Sequence, residues 1–494
     1  MPLLTRKKVL TAQANSTTAL PSGLGNVAQA TNIPIEATAT IDAERIDRQL
    51  SSASITAFKD LVGQKAVDIS FGIELRGSNS GTAEPAWSKL LQACGFDSAA
   101  VSIVTIGSQA GTFRHGETVT FTGSGATATV VGDHHDGVRA TSLIIRDIVG
   151  TPAGSDSAVT GTDSGATAVP STGASSEGYA WWPTSVVEKS ITFDSTGLTS
   201  ALSIGDLIAG TLSGARGVVT RAVGTGSGAE VFYTPVRGTF LTEETMERIS
   251  PSAVADIGDL ATATGESFVK TGPIGARMYT DGKAITANGC RGNVVFNLEV
   301  NRPVRMDFTF RGVLNSLDDA ALLTGIDYEN VDPPLWESSS IGYARNETAS
   351  EDSLDDEIEP CITTISFDMG NALADRKCAG ATSGLVEVFL SGRDGSGSMA
   401  VEDALEADVG WLSRIDDNEC VRLAATVGAT DGNRFTFKAP GIQFTSHSED
   451  DTDGIVTQDM SFRLTGGDLF DLNTTTELST IGGDNELVLI YHTS

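Results

Sequence analysis

Basic residues are scarce in this chain: 33 Lys and Arg stand against 64 Asp and Glu in 494 residues, so the formal charge is 33 − 64 = −31 with histidine neutral. That balance excludes a free-standing nucleic-acid grip, because phosphate binding needs a basic surface and the counterion release it brings. Long hydrophobic runs are missing as well. No stretch approaches the ~18–20 apolar residues of a membrane helix, which leads to the expectation of a soluble chain without membrane insertion. After Arg6, Lys7 and Lys8 only Val9 and Leu10 precede Thr11, too little for the apolar region of a secretory signal. Cys94, Cys290, Cys361, Cys378 and Cys420 are odd in number and widely spaced. With no C-x-x-C pair among them, they read as reduced, partly buried thiols. Phosphate-loop, H-E-x-x-H and G-x-S-x-G signatures are all lacking, and five histidines are a small supply for acid/base chemistry. The expectation is a protein that is not an enzyme and uses no cofactor.

Small and turn-forming residues are what the chain has in quantity. Gly alone accounts for 54 positions while aromatics make up 6%. This composition favours many short strands over long helices. Residues 1–64 are polar and weakly periodic and read as an N-terminal arm. From Lys65 the pattern sharpens: Val67, Ile69, Phe71, Ile73 and Leu75 alternate with other residues and predict a strand with one buried face. Pro85 and Gly95 bracket a short helix on which Trp87, Leu90, Leu91 and Cys94 form one apolar stripe. Further on, Val294, Phe296, Leu298 and Val300 alternate with Asn293, Asn297 and Glu299. After Pro303, Met306, Phe308 and Phe310 alternate with Arg305, Asp307, Thr309 and Arg311. Two half-buried strands joined as a hairpin are expected there. Similar alternation at 362–369, 385–390, 435–437, 460–464 and 487–491 completes a mainly antiparallel β core.

Between residues 101 and 270 the chain repeats itself. Gly116-Glu117-Thr118-Val119, Ser124-Gly125-Ala126 and Val130 reappear 89 positions later as Gly205-Asp206-Leu207-Ile208, Ser213-Gly214-Ala215 and Val219. A weaker copy at Val159 and Ser164-Gly165-Ala166 follows the first by 40 positions. The expectation is a unit of about 40 residues, repeated three or four times as an inserted all-β array. Trp181-Trp182-Pro183 inside it reads first as packing between repeats and second as a carbohydrate-stacking platform.

Metal and charge motifs are weak. Asp133-His134-His135-Asp136 lies between Gly132 and Gly137 and reads as a solvated turn. Glu449, Asp451, Asp453 and Gly454 resemble the opening of a calcium loop, but Met460 stands where the bidentate Glu belongs, so an acidic surface loop is expected and no metal site is assigned. A second acidic run holds Glu347, Glu351, Asp352, Asp355, Asp356, Glu357 and Glu359 with no basic member, and reads as a solvated loop.

In their order along the chain, these elements resemble the major tail tube protein of long-tailed, siphovirus-type bacteriophages. The matching pieces are Thr5-Arg6-Lys7-Lys8-Val9-Leu10, Ile46-Asp47-Arg48-Gln49-Leu50-Ser51, the strand Val67–Leu75 ending at Arg76-Gly77, and the helix closing on Leu90-Leu91-Gln92-Ala93-Cys94-Gly95-Phe96. They continue with Gly292-Asn293-Val294-Val295-Phe296, Met306-Asp307-Phe308-Thr309-Phe310-Arg311-Gly312 and the closing Asn485-Glu486-Leu487-Val488-Leu489-Ile490-Tyr491. They cover residues 1–100 and 275–494 with 101–270 treated as inserted.

The resemblance implies a β-sandwich, barrel-forming core (65–100 and 271–494) with one or two short helices, the inserted repeats lying outside. It implies a homohexameric ring stacked into a virion tail tube, assembled in the host cytoplasm, through which double-stranded DNA passes unbound during ejection. Its implied partners are further copies of the chain, a tape measure protein, a tail terminator, and baseplate or distal tail proteins. On this reading Asn297, Glu299, Arg305, Asp307, Thr309 and Arg311 are candidates to line the lumen or the ring interface, and an acidic lumen would repel DNA phosphate. The acidic loop of Glu351, Asp352, Asp355, Asp356 and Glu357 is a second candidate surface. Two other classes remain open from sequence: a virion or surface adhesion module binding host glycan through 101–270, and a polysaccharide-active enzyme using paired carboxylates.

Overall fold

A computed structural model describes residues 7–14, 24, 30–31, 33–48, 59–110, 113, 116–135, 140–184, 187–194, 197–200, 202–203, 205–250, 253–259, 267–270, 272–326, 328–337, 341–345, 361–379, 384–403, 415–416, 420–452, 454–465 and 486–493. The chain is nearly all β and antiparallel, with one named helix among the described residues. It opens with β1 (Lys8–Ala14), β2 (Ile35–Ile46), β3 (Leu61–Glu74) and α1 (Ser88–Ala93). Then come β4 (Phe96–Ala110), β5 (Thr118–Thr122), β6 (Thr127–His135), β7 (Ala140–Val149), β8 (Ala158–Gly161), β9 (Thr167–Pro170) and β10 (Ser175–Pro183). A second series holds β11 (Glu188–Thr192), β12 (Leu207–Gly210), β13 (Arg216–Val223), β14 (Glu230–Arg237), β15 (Thr245–Ser250), β16 (Ala253–Asp259) and β17 (Ser267–Lys270). The rest comprises β18 (Ile274–Thr280), β19 (Lys283–Glu299), β20 (Arg305–Asp319), β21 (Ile341–Arg345), β22 (Ile362–Asp368), β23 (Asn371–Lys377), β24 (Leu385–Arg393), β25 (Ser396–Glu402), β26 (Cys420–Val427), β27 (Arg434–Thr452), β28 (Ile455–Thr465) and β29 (Val488–His492).

The large core forms where period-two alternation is strongest. Val67, Ile69, Phe71 and Ile73 of β3, Val294, Phe296 and Leu298 of β19, and Met306, Phe308 and Phe310 of β20 all point into one hydrophobic cluster. A broad antiparallel sheet runs β2-β3-β20-β19-β22-β25-β28-β27. β19 and β20 form the expected hairpin, with Asn301 at φ 60° and Pro303 in the turn. Helix α1 closes over the core by its apolar stripe: Trp87, Leu90, Leu91 and Cys94 are fully buried. Burial also pushes the Cys94 thiol well above its usual range, partly offset by Arg291, and raises Cys290 to about 12. Cys94, Cys290, Cys361 and Cys378 are free thiols.

Two described stretches within residues 1–64 are strands of the sheet in place of the expected arm. β1 pairs along its whole length with β18 and sends Leu10 and Ala12 into the core, while β2 pairs with β3. Alternation in β2 is carried by Ala37, Ala39, Ile41 and Ala43, and the three alanines give a weak periodic signal.

The repeats resolve into two related units. In the first, β4-β7-β6-β5-β8-β9 closes back on β4 as a six-stranded barrel with its own core, including Val119, Phe121, Leu143 and Val159. The second series repeats five of those six pairings as β11-β14-β13-β12-β15-β16 around Ile208, Val231, Tyr233 and Met246, a second barrel left open between β11 and β16 among the described residues. Thr199 N–H donates to the Ile257 carbonyl at 2.9 Å across the remaining gap. Even the flanking strand keeps register: Tyr179 of β10 faces Ala100, and Phe268 of β17 faces Lys189, each 89 positions on. The 40-residue spacing is therefore half of a barrel, and the full unit occurs twice.

Each Ser-Gly-Ala turn is held by a carboxylate from the other half of its barrel. Glu117 accepts from Asp163 N–H (3.2 Å), Ser164 N–H (3.1 Å) and the Ser164 hydroxyl (2.9 Å). Asp156 accepts reciprocally from Ser124 N–H (2.6 Å), the Ser124 hydroxyl (2.8 Å) and Ala153 N–H (2.9 Å). The Ala153 N–H above all, with the Ser124 donors, holds the Asp156 carboxyl below its usual range. Such a group stabilises the fold above its unfolded-state pKa of ~3.9 and loses that contribution as pH falls through the lower folded value. Asp156→Asn is thus expected to reduce amide-exchange protection in the first barrel at pH 6 and to make little difference at the acid end, where the wild-type carboxyl is itself protonated. Equal protection of both proteins at pH 6 would refute this role.

The first barrel joins the main sheet through β29, which lies between β27 and β10. There the buried Glu177 carboxylate pairs with His492 Nδ1, and His492 Nε2 meets Thr436 Oγ1 at 2.9 Å. Trp181 does not pack between repeats. It sits in the main core, 4.8 Å from Trp87 and donating to Ser88 Oγ at 2.7 Å, while Trp182 packs in the joint with Ile144, Val488 and Ile490.

Candidate functional site

The core-facing alternation of β3, β20 and β19 forces the other parity onto one shared face. Direct partners across the sheet are Arg311–Asp68, Thr309–Ser70 and Arg305–Glu74 on one side of β20, and Thr309–Asn293, Asp307–Val295 and Arg305–Asn297 on the other. Asn297, Glu299, Arg305, Asp307, Thr309 and Arg311 therefore all lie on this polar face, none of them buried.

Arg311 is its most connected group. Nη1 donates to both oxygens of Asp68 at 2.9 and 3.0 Å, Nη2 to Asp42 at 3.0 Å and Asp375 at 3.1 Å, and Nε to Asp375 at 3.1 Å. Asp375 comes from β23, which pairs with β24 in a hairpin packed against β19 and β20. The Asp375 hydrogen bonds, followed by those of Asp68 and Asp42, outweigh burial and hold the guanidinium far above its ordinary pKa. A second group joins Arg305 Nε to Asp307 at 2.6 Å, Arg305 Nη2 to Glu36 at 3.3 Å, and Asn297 Nδ2 to Asp307 at 2.9 Å. Glu299 pairs with Arg302 at 3.0 Å across the hairpin turn. Between the ionic groups run hydroxyl rungs, Thr38 to Ser70 at 2.7 Å and Ser366 to Ser398 at 2.9 Å.

Acids outnumber bases at these paired positions. Asp42, Asp68, Glu74, Asp307, Glu299, Asp368 and Asp459 share the face with Arg305, Arg311 and Arg463. No cluster suited to hold a metal ion occurs on it among the described residues. What the surface offers is a hydrated, hydrogen-bonding plane with surplus negative charge.

Both ends of these strands carry exposed apolar side chains, at the β2–β3 end beside the charged Glu44, Arg45, Asp47, Arg48 and Lys59. At the β2–β3 tip, Ile46 faces Leu61, and these with Val62 are about half exposed. At the opposite end, Ile33 precedes β2, Val300 bridges to Trp336 and Leu335 bridges to Pro303; Ile33, Val300 and Leu335 are all exposed. Along its length β2 pairs with β3 alone, leaving its outer edge without a strand partner among the described residues.

Other sequence candidates fare differently. Glu351, Asp352, Asp355, Asp356 and Glu357 lie outside the described residues. Glu449 to Thr452 belong to β27 and pair with β28 up to Thr452–Ile455, and Gly454 takes φ 85° with its N–H donating to Asp451 at 2.7 Å; Asp453 lies outside the described residues. β6 continues as strand through His135, opposite Ala140, in place of the expected turn. Trp181 and Trp182 are 1% and 4% exposed and offer no ring face to a sugar. Asp42, Asp68 and Asp375 were not singled out from sequence; strand parity marks Asp68, whereas no local signal links Asp375 to Arg311.

No protein-family model matches the sequence, and no curated protein matches it.

Proposed function

We propose that this chain is the structural subunit of a phage tail tube, closing into homohexameric rings that stack and conduct double-stranded DNA through an acidic lumen. The observation that carries this reading is the polar, net-acidic sheet face, flanked by β2, whose outer edge has no strand partner among the described residues, with exposed apolar side chains present at both strand ends. Joining β2 to a neighbouring copy would remove the exposed edge, since ring closure is one of the ways sheets dispose of open edges. The polar face then lines a water-filled bore whose carboxylates repel phosphate. Apolar patches at opposite ends of one sheet suit head-to-tail stacking, in which unlike surfaces meet and the contact repeats without closing. Further copies of the chain are its main partners, with tape measure, terminator and baseplate or distal tail proteins acting at the virion tail. The reading requires neither a catalytic residue nor a cofactor.

Purified protein is expected to form rings or hollow tubes visible by electron microscopy. A species that stays monomeric by light scattering at high concentration, with no tubes on the grid, would overturn the proposal.

A further inference from the structure

The two barrels share a clamp but differ in what it displays. In the first, Asp156 fixes the backbone beside Gly123 and at Ala153. In the second, Glu244 takes the same part, accepting from Leu212 N–H at 3.1 Å, Ser213 N–H at 2.8 Å and Leu241 N–H at 2.7 Å. One carboxylate thus fixes both leucine backbones, and the side chains stand out at 76% and 51% exposure. Beside them the strands carry Arg216 directly opposite Arg237. The equivalent pair in the first barrel, one residue from the matching Ala126 and Gly150, is Thr127 opposite Val149.

Like charges placed directly across two strands are unfavourable. Arg216 and Arg237 are exposed and make no ion pair among the described residues, in a chain with about twice as many acids as bases. Where the twin barrel presents Gly, Ala, Thr and Val, this rim presents two rigidly mounted leucines and two adjacent guanidinium groups. The surface is built for a partner combining carboxylates with apolar contact, because paired guanidiniums bind such oxygens with charge-assisted, bidentate hydrogen bonds.

We propose that the Leu212–Arg216–Arg237–Leu241 rim docks on the acidic surface of a second copy of this chain. Local charge complementarity selects that occupant: each copy carries 64 Asp and Glu against 33 Lys and Arg, so surplus carboxylates are at hand for the two guanidiniums even though the net charges of two copies repel. The contact belongs to the barrel and is independent of the tube reading.

Photo-crosslinking from p-benzoylphenylalanine placed at Leu212 of the full chain tests it. Irradiation should yield a crosslinked dimer, and the Arg216→Glu/Arg237→Glu double variant should lower that yield about tenfold, since attraction to carboxylates becomes repulsion. The melting temperature serves as the control for folding, and a Leu241→Ser variant should lower the yield without altering charge. Absence of a dimer, or a dimer insensitive to the charge reversal, overturns the proposal. Flotation of the wild-type chain with phosphatidylglycerol vesicles, abolished by the reversal, would assign the rim to a lipid surface and overturn it as well. Tubes without the crosslink refute only the rim contact, and the crosslink without tubes refutes only the tube.

Discussion

Replacing Arg311 by alanine is expected to lower the stability of the main domain by about 1–3 kcal/mol, between the values for exposed ion pairs and for a buried ionic group because Asp42 and Asp68 are about half exposed. The substitution removes one cation and leaves Asp42, Asp68 and Asp375 facing one another with no shared donor. Lysine at this position should recover only part of the loss. It keeps the charge, but it lacks the planar fork that reaches three carboxylates from Nε, Nη1 and Nη2 at once. The pH dependence follows from the direction of the shift. The pKa of Arg311 is raised in the folded state, so its contribution is fully present below the already strongly alkaline unfolded-state value and is lost only as pH rises through the still higher folded one. The wild-type advantage should therefore stay constant between about pH 6 and 9. Urea denaturation across this pH range measures the deficit and its constancy. A variant as stable as wild type at pH 7 would remove Arg311 as an organiser of the face.

How far these features were legible in the sequence depended on the size of the side chains that mark them. β3, β19 and β20 stood out because Phe71, Phe296, Phe308 and Phe310 alternate with small or polar residues, giving period two a large amplitude. β2 did not, because alanine carries its inward positions and a Thr/Ala alternation has little contrast. The duplication was visible through its turns. Gly125, Gly165 and Gly214 adopt φ of 69°, 67° and 64°, a region glycine enters without penalty, so the Ser-Gly-Ala signature persists where strand residues have drifted. What the repeat spacing concealed was that each turn is clamped by a carboxylate from the other half-barrel. Trp181 misled for a related reason: its neighbours in sequence are barrel strands, but β10 leaves the barrel to pair with β29 and carries the indole into the main core.

The polar face shows the same division between local and distant information. Strand parity alone groups Asn297, Arg305, Asp307, Thr309 and Arg311, since every second residue of a half-buried strand must point away from the core. Their ionic partners are another matter. Asp42 and Asp68 lie about 240 to 270 residues from Arg311, and Asp375 reaches it from a separate hairpin. Strand order, which sets those meetings, is decided by the packing of the whole sheet rather than by any short segment.

The largest effect on assembly is expected at the β2–β3 tip. Leu61→Asp combined with Val62→Asp should leave the folded monomer intact, because both side chains are already about half exposed and neither belongs to the main core. If the tip meets the apolar end marked by Ile33, Val300 and Leu335 on the next ring, each aspartate forfeits the burial of an aliphatic side chain. Full burial of such a side chain is worth about 1.5–3 kcal/mol, so half-buried residues forfeit roughly half of that. Each aspartate also introduces a charge that must be desolvated for the surfaces to close. The two together place the expected rise in the critical concentration for stacking at about a hundredfold or more, since every 1.4 kcal/mol is a factor of ten. Ring closure uses the lateral edge of β2, so the variant should still form rings while losing the ability to stack. Electron microscopy of the variant, with sedimentation to measure the critical concentration, separates the cases: isolated rings support axial contact through the tip, unaltered tubes place that contact elsewhere, and monomers alone mean that the tip also serves ring closure.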